Sequence, residues 1–196
     1  LIEENFLNRQ LANAQVLAGK GQAERWTRIL GPQAYRDLVQ RIDLEFAQTG
    51  KTWYHPDEPV QVSLHVKNID QLVVRIYELN TLNNYRDRLD PISASISLEG
   101  LVPNVEKRVD RKQPPGLRTT ETIELPELQG RGVFLVDIIG GGTNVRTLIR
   151  KGRLLCTSQV FAAGHAIQVL DEDCTPLTKS SVWVNGQRFE ANEQGF

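Results

Sequence analysis

The chain of 196 residues contains no methionine, only two cysteines and no long apolar run. Two cysteines, Cys156 and Cys174, are too few for the disulfide framework of a small secreted domain. The residues leave open whether they pair or stay two separate thiols. A membrane-spanning helix needs about 20 consecutive apolar residues, and no run approaches that length. We expect no signal peptide at the start of the chain, because Leu1 begins a stretch that already contains Glu3 and Glu4.

An excess of charge of one sign is also missing. Lys and Arg total 23 and Asp and Glu total 24, which leaves a formal net charge of −1. This balance gives no general attraction for nucleic acid or for an acidic membrane surface. Hydrophobic residues at 40% and charged residues at 24% are typical of a soluble globular protein of one or two domains.

Since even an initiator methionine is missing, we expect the chain to be a piece of a longer protein. Gly195 and Phe196 end it within what reads as a strand-turn-strand pattern, which favours the same interpretation. Any targeting information is then expected outside these residues.

Recognisable catalytic and metal-binding patterns are missing as well. The three histidines form no H-E-x-x-H motif, and the chain has neither C-x-x-C nor G-x-S-x-G. Asp171, Glu172 and Asp173 offer hard oxygen donors for calcium, but their spacing is not that of an EF-hand, and a solvated turn is the favoured reading. We therefore expect no enzyme, no cofactor and no metal.

The first 50 residues are predicted to be helical. Apolar residues recur at spacings of three and four, which is typical of an amphipathic helix; they are Ile2, Phe6, Leu7, Leu11, Ala14 and Ala18. After Gly31 and Pro32, a further helix is expected to carry its apolar residues on one face: Tyr35, Leu38, Val39, Ile42 and Phe46. Short helices need a surface to pack on. A small helical subdomain or connector is favoured over a partner-binding helix pair.

From residue 53 the pattern changes to short strands. Val62, Leu64 and Val66 alternate with polar residues that include Lys67, which predicts a strand with one wet face. Further strands are predicted at 72–79, 92–98, 122–125, 133–139, 145–149 and 154–161, and the glycines at 140–142 predict a hairpin turn. About seven short strands with turns between them indicate an immunoglobulin-like antiparallel β-sandwich.

The C-terminal residues 162–196 read as about three more strands, with a hairpin at Asn185-Gly186. Three strands are fewer than a stable sandwich needs, so this module is expected to be incomplete or to lean on the first domain. The predicted organisation is a helical segment at 1–50, a β-sandwich at 51–161 and the start of a second β module at 162–196. The fold class is mainly β.

A polar insertion at 102–120 carries the best candidate for a partner-binding loop. Its Pro-Pro-Gly sequence argues against regular structure, and its basic residues are Lys107, Arg108, Arg111, Lys112 and Arg118. A mobile solvated loop is the alternative reading. Because no aromatic residues are interleaved with the charges, nucleic-acid stacking is not indicated.

Three stretches resemble the macroglobulin-like domains of the bacterial alpha-macroglobulin family. These are residues 124–140 (E-L-P-E-L-Q-G-R-G-V-F-L-V-D-I-I-G), residues 53–68 (W-Y-H-P-D-E-P-V-Q-V-S-L-H-V-K-N) and the tail from Gly164. Asp57 stands where the family usually has glycine, and Cys174 stands near another usual glycine. The resemblance implies a large multi-domain parent that is secreted or attached to the cell envelope. Such proteins can trap proteases with a bait region and a Cys-Gly-Glu-Gln thioester, neither of which is identifiable here.

We therefore expect a non-catalytic structural or interaction module of a large extracytoplasmic protein, whether periplasmic, cell-surface or secreted. The expected partners are other domains of the same chain and a protein, not nucleic acid. One alternative is a carbohydrate- or surface-binding, adhesin-like sandwich, which requires Trp53, Tyr54, Tyr85 and Trp183 to share an exposed face. Another is an accessory domain of a peptidase or other hydrolase.

Overall fold

The computed structural model describes residues 3–47, 50–88, 90–162 and 164–196. They form two compact units, the first made of Leu1–Thr52, Pro59–Leu128 and Val133–Ile149. The second unit is made of Trp53–Glu58, Gln129–Gly132 and Arg150–Phe196. The predicted mainly β, sandwich-like fold with short N-terminal helices is confirmed. The helical segment lies in the same unit as the sandwich strands, and the domain boundaries at 50 and 161 stay a prediction.

Three short helices open the first unit: α1 (Glu4–Leu17), α2 (Ala23–Leu30) and α3 (Pro32–Gln40). Pro32 occupies the first turn of α3, where a missing N–H costs nothing. The helices share a small core of Ala12, Val16, Trp26 and Leu30. The apolar face predicted for α1 is therefore wrong: Phe6, Leu7 and Leu11 are each about half exposed. Ala12 and Val16, one helical turn apart, form the buried side of α1 instead. Ile2 lies outside the described residues.

The predicted helical segment ends earlier than expected. Arg41 has extended backbone angles, with φ −55° and ψ 133°, and strand β1 (Asp43–Phe46) follows. β1 pairs antiparallel with β3 (Gln61–Lys67), so that Phe46 lies opposite Leu64. The assignment of Ile42 and Phe46 to a helix face is wrong because a distant strand supplies the hydrogen-bond partners of this segment.

Two antiparallel sheets make up the sandwich of the first unit. One has the order β1-β3-β6, with β6 at Thr119–Glu124. The other has the order β8-β7-β4-β5, formed by β4 (Gln71–Glu78), β5 (Val105–Asp110), β7 (Gly132–Gly140) and β8 (Thr143–Lys151). Their largest fully buried apolar residues form the core: Leu64, Val66, Leu72, Val74, Leu125, Leu135, Val136, Ile138 and Ile149.

The chain between β4 and β5 covers the outer side of this sheet. Helix α4 (Thr81–Arg88) begins it, and no strand occurs among the described residues at 90–104, so the strand predicted at 92–98 is wrong. Ile92, Ala94, Ile96 and Leu98 instead pack against a cluster that contains Tyr77 and Leu135. This cover explains why β7 is buried on both faces and is apolar apart from its glycines and Asp137.

The glycine triplet connects β7 and β8 as predicted. Gly141 and Gly142 have φ values of +57° and +79°, which suits a two-residue hairpin turn of the primed type. Gly140 has a different role: a Cβ there would lie 2.7 Å from Ile69 Cγ2 and 2.8 Å from Leu72 Cδ2. Close packing, not backbone freedom, requires glycine at position 140.

The second unit is built from two separate hairpins and a short parallel pairing. β2 (Trp53–Tyr54) pairs in parallel with Arg150 and Lys151 at the end of β8. β9 (Leu155–Phe161) pairs antiparallel with β10 (Gly164–Leu170). β11 (Ser181–Val184) pairs with β12 (Gln187–Glu190) around the predicted turn at Asn185 and Gly186, both of which have positive φ.

Candidate interaction surfaces

Polar contacts bind the helical segment to the sandwich within the first unit. Lys67 was expected on a wet strand face but is fully buried, and its Nζ donates to the main-chain oxygens of Val39 and Arg41 at 2.7 Å each. The Asn68 side-chain amide donates to the same two oxygens. The backbone N–H of Arg118 donates to the carbonyl of Leu17 at the end of α1. The sandwich thus caps two helix C-termini.

The predicted partner-binding residues are divided between a strand and an irregular connection, since Arg111, Lys112 and Arg118 lie between β5 and β6. Lys107 and Arg108 lie in β5, which forms the edge of its sheet beside β4. The Lys107 Nζ donates to a Glu127 carboxylate oxygen at 2.9 Å and to the Glu124 carbonyl at 2.8 Å. Arg118 forms an ion pair with Glu45. Charged side chains along an exposed edge strand discourage pairing with other chains. The alternation of apolar and charged residues at 105–110 is the sequence pattern that indicates this strand.

The Arg111 side chain is buried and forms its hydrogen bonds within the first unit. Its side chain is only 3% exposed, and Nη1 donates to the Ile69 carbonyl at 2.6 Å. Nη2 donates to Thr119 Oγ1 at 2.6 Å and to Glu121 Oε1 at 3.2 Å, whereas Nε is buried without a partner among the described residues. The hydrogen bonds of Arg111 therefore link the turn after β3 to the start of β6.

Arg108 and Lys112 differ from the other three basic residues. Both are exposed, and neither side chain forms an ion pair or hydrogen bond in the part of the chain that the structure describes. Of the five basic residues, these two are therefore the ones whose charges have no carboxylate partner in the described part of the chain.

The acidic turn 171–173 belongs to an ion-pair network within the second unit. Arg131 binds Glu172 with both nitrogens of its fork, Nη1 to Oε2 at 2.5 Å and Nη2 to Oε1 at 2.8 Å. The Glu172 side chain is 2% exposed. Burial alone would raise the pKa of Glu172, but hydrogen bonds from Arg131, from its own backbone and from the Arg153 N–H lower it to about 2.

His55 joins this network from a distant part of the sequence. Its Nε2 lies 3.4 Å from Asp173 Oδ1 and 3.9 Å from Glu172 Oε1. One donor atom from each of these three residues lies within 4.8 Å of the others, a donor set that suits a divalent cation. The Arg131 guanidinium already neutralises Glu172, so the described arrangement is an ion-pair network. Sequence reasoning singled out the acidic residues but missed His55, since no local motif links the two segments.

The second unit contains an apolar groove. Its volume is about 720 Å³, and it lies between the β9–β10 and β11–β12 hairpins. Its apolar lining includes Ile167, Val169, Val182, Val184, Phe189 and Phe196. The sequence pattern identified these strands but not the groove that they form.

The aromatic residues of the adhesin-like alternative do not share an exposed face. Tyr54 is only 3% exposed, and Trp53 Nε1 donates to the Gly152 carbonyl at 3.2 Å. A buried Tyr54 cannot stack on a sugar ring.

Both cysteines are exposed and free. No helix in the described ranges has the length and apolar character needed to cross a membrane.

The fold and these surfaces define an immunoglobulin-like interaction module with a helical segment at its N-terminus. Residues 72–152 match the family model of the first immunoglobulin-like domain of AbpF, and residues 1–42 match that of the N-terminal domain of actin-binding protein F. The expected immunoglobulin-type recognition is confirmed by the first match. Neither matched description names a catalytic activity, and the second names a protein that binds actin.

The chain is 31% identical over 194 residues to "Actin-binding protein F" of Dictyostelium discoideum. The alignment covers 97% of this chain and 8% of that protein. Because this relative and the model at 1–42 are both named for actin binding, the expected extracytoplasmic location is wrong.

Two solved structures of native alpha-2-macroglobulin from Escherichia coli are also similar. The structure spanning domains MG0-NIE-MG1 has a TM-score of 0.47 and 15% identity, over 79% of this chain and 56% of that chain. The structure spanning NIE-MG1 has a TM-score of 0.44 and 16% identity, over 80% of this chain and 85% of that chain.

Proposed function

We propose that the chain is a non-catalytic protein-interaction module whose partner is actin. The observation that carries this proposal is the 31% identity to a protein named for actin binding, over 97% of the present chain. The helical segment and the sandwich each match a family model of that same protein. The chain spans only 8% of the relative's length, so actin binding by these residues is itself part of the proposal.

We place the contact surface in the basic segment, residues 107–118. Within it, the residues that contact the partner are Arg108 and Lys112. Lys107, Arg111 and Arg118 are neutralised by carboxylates of their own unit, so their charges are largely unavailable to a partner. Two exposed cations on and beside an edge strand suit an acidic patch on a protein surface. The three paired residues hold β5 and β6 in place beneath this surface.

Co-sedimentation with actin filaments tests the proposal. The 196-residue chain is expected to pellet with filaments in a saturable manner, and the bound fraction should fall as salt rises because exposed charges are screened. The double variant Arg108→Glu and Lys112→Glu should bind about tenfold more weakly, equivalent to about 1.4 kcal/mol.

A matched control exchanges two exposed lysines elsewhere, Lys20→Glu and Lys179→Glu. This variant has the same net charge as the first, so a general charge effect would weaken both equally. Equal weakening would contradict the assigned surface, while an unmutated chain that stays in the supernatant would contradict actin as the partner. Protease trapping by a larger parent is not proposed, since the matched family models describe an actin-binding protein.

A further inference from the structure

The groove of the second unit has the composition of a protein core rather than of a surface. Ile167 and Val169 line it from one hairpin, and Val182 and Phe189 line it from the other. Phe189 and Phe196 are nevertheless 47% and 46% exposed. Apolar residues that face each other across two β layers normally form the interior of a sandwich, and here that interior is open to solvent.

The strand pairing of this unit is also incomplete, because each hairpin forms a sheet of only two strands among the described residues. β9 pairs only with β10, and β11 only with β12, among the described residues. A two-stranded hairpin is marginally stable by itself, and three or more strands with a buried apolar face are needed for an independent sheet. Each hairpin therefore lacks, among the described residues, the third strand that an independent sheet needs; beyond its ladder with β9, β10 makes only an isolated bridge between Leu170 and Pro176.

We propose that this groove is the open half of a second β-sandwich core, and that further β-strands of the same polypeptide cover it. The chain aligns over 97% of its length with only 8% of its relative, so a protein of that size has ample chain to supply them. The model matched at 72–152 describes a first immunoglobulin-like domain, a description that implies at least one more. The covering strands would alternate apolar and polar residues and place the apolar ones over Ile167 and Val182.

The chain carries a natural reporter for this coverage. Cys156 lies directly opposite Val169 in the β9–β10 ladder, and Ser158 lies opposite Ile167. Opposed residues share a face of an antiparallel pair, and Val169, Ile167 and Ser158 line the groove. The Cys156 thiol is therefore on the groove side of β9. Cys174 is exposed and lies in the turn before β11, which makes it an internal control.

Maleimide labelling read out by peptide mass spectrometry tests the inference. In the 196-residue chain, both thiols are expected to react readily. In the full-length natural polypeptide, Cys156 should react at least tenfold more slowly than in the 196-residue chain, while Cys174 keeps its rate. Equal Cys156 rates in the two proteins would overturn the proposal, because the groove would then be uncovered in the complete polypeptide.

A dilution series distinguishes the other possible occupant. If Cys156 were protected in the 196-residue chain at high concentration, and light scattering showed a dimer there, a second copy would cover the groove. That result would overturn coverage by the same polypeptide. Rates that do not depend on concentration, together with a monomeric mass, support it.

Two substitutions sharpen the comparison. Val182→Asp places a carboxylate in the groove, whereas Arg188→Asp places one on the opposite face of the hairpin, beside Trp183. In the full-length polypeptide, Val182→Asp should restore rapid Cys156 labelling and Arg188→Asp should not. Protection that survives Val182→Asp would overturn the proposal. The comparison of the unmutated proteins does not depend on either variant folding.

Discussion

Lys67 at the end of β3 donates a hydrogen bond from Nζ to the main-chain oxygen of Val39 over 2.7 Å. The Val39 carbonyl lies at the C-terminal end of α3, where the helix dipole is negative and carbonyls lack helical partners. Burial lowers the pKa of Lys67, but its ammonium is held by two carbonyl oxygens. One side chain of the sandwich thereby fixes the helical segment on it.

Replacing Lys67 with methionine should destabilise the first unit. The substitution keeps an apolar stem of similar length but removes both hydrogen bonds to Val39 and Arg41. We expect a loss of about 1–3 kcal/mol in the free energy of unfolding, the usual cost of leaving buried polar groups with fewer partners. Urea unfolding followed by tryptophan fluorescence measures it. Lys20→Met, at an exposed lysine, should change stability by less than about 0.5 kcal/mol; similar losses in both variants would contradict the capping role.

Arg111→Lys should destabilise the protein even though it keeps the charge. Lysine cannot bind Ile69, Thr119 and Glu121 at once, because it lacks the planar fork of the guanidinium. We expect a loss of about 1–3 kcal/mol, measured by urea unfolding. Arg108→Ala, at an exposed side chain, should stay within about 0.5 kcal/mol of the unmutated protein. An Arg111→Lys variant of unchanged stability would show that the buried contacts contribute little.

Gly140→Ala should destabilise the sandwich through packing. Its Cβ would meet Ile69 Cγ2 at 2.7 Å and Leu72 Cδ2 at 2.8 Å, and both residues are buried and unable to move aside. Overpacking of this kind costs about 1–3 kcal/mol, which thermal unfolding detects as a lower Tm. The control is Gly50→Ala, where the nearest atom lies 3.6 Å from the added Cβ. A Gly140→Ala protein as stable as this control would mean that the turn relaxes freely.

The stability of the second unit should depend on pH through Glu172. Its pKa is about 2 in the folded protein against an ordinary value of 4.5, so the unfolded chain binds more protons between these limits. The stabilisation is complete above about pH 4.5 and is lost as the pH falls toward 2. A carbon NMR titration of the Glu172 carboxyl should show this low pKa.

Removing the partner of Glu172 supplies the control for this titration. Arg131→Gln takes away the two shortest hydrogen bonds of the carboxylate, so the pKa of Glu172 should rise toward or above its ordinary value. Arg188→Gln removes an exposed arginine that pairs with Glu190 and should leave the Glu172 titration unchanged. A Glu172 pKa that is insensitive to Arg131→Gln would mean that the backbone hydrogen bonds alone lower it.

The strands that sequence reasoning located correctly have strong local signals. Residues 61–67 alternate between buried and more exposed positions over most of β3. Residues 133–139 are apolar except for Asp137, which suits a strand buried on both faces. The hairpin turns at Gly141-Gly142 and Asn185-Gly186 were also readable, because positive φ restricts which residues such turns accept. In each case the pattern that predicts the strand or turn lies within a few consecutive residues of the sequence.

The errors occurred where distant residues decide the outcome. The alternation at 92–98 predicts a strand, yet these residues pack on a face of the sheet without pairing, because β7 and β5 already occupy both edges of β4. Ile42 and Phe46 have helical spacing relative to α3, but β3 supplies a ladder for β1. The basic residues at 107–118 looked equivalent in the sequence, and only their partners separated Arg108 and Lys112 from the rest.

The amino-acid sequence by itself determined the mainly β class, the N-terminal helices, most strand positions and the glycine-dependent turns, because periodicity and backbone freedom act over a few residues. Only the tertiary structure decided that Lys67 is buried beneath α3, that His55 meets Glu172 and Asp173, and that two hairpins enclose an apolar groove. The first of these relationships joins residues 28 apart in the sequence, and the contact of His55 with Asp173 joins residues 118 apart. Their energies come from burial and hydrogen bonding between elements, which no local pattern records.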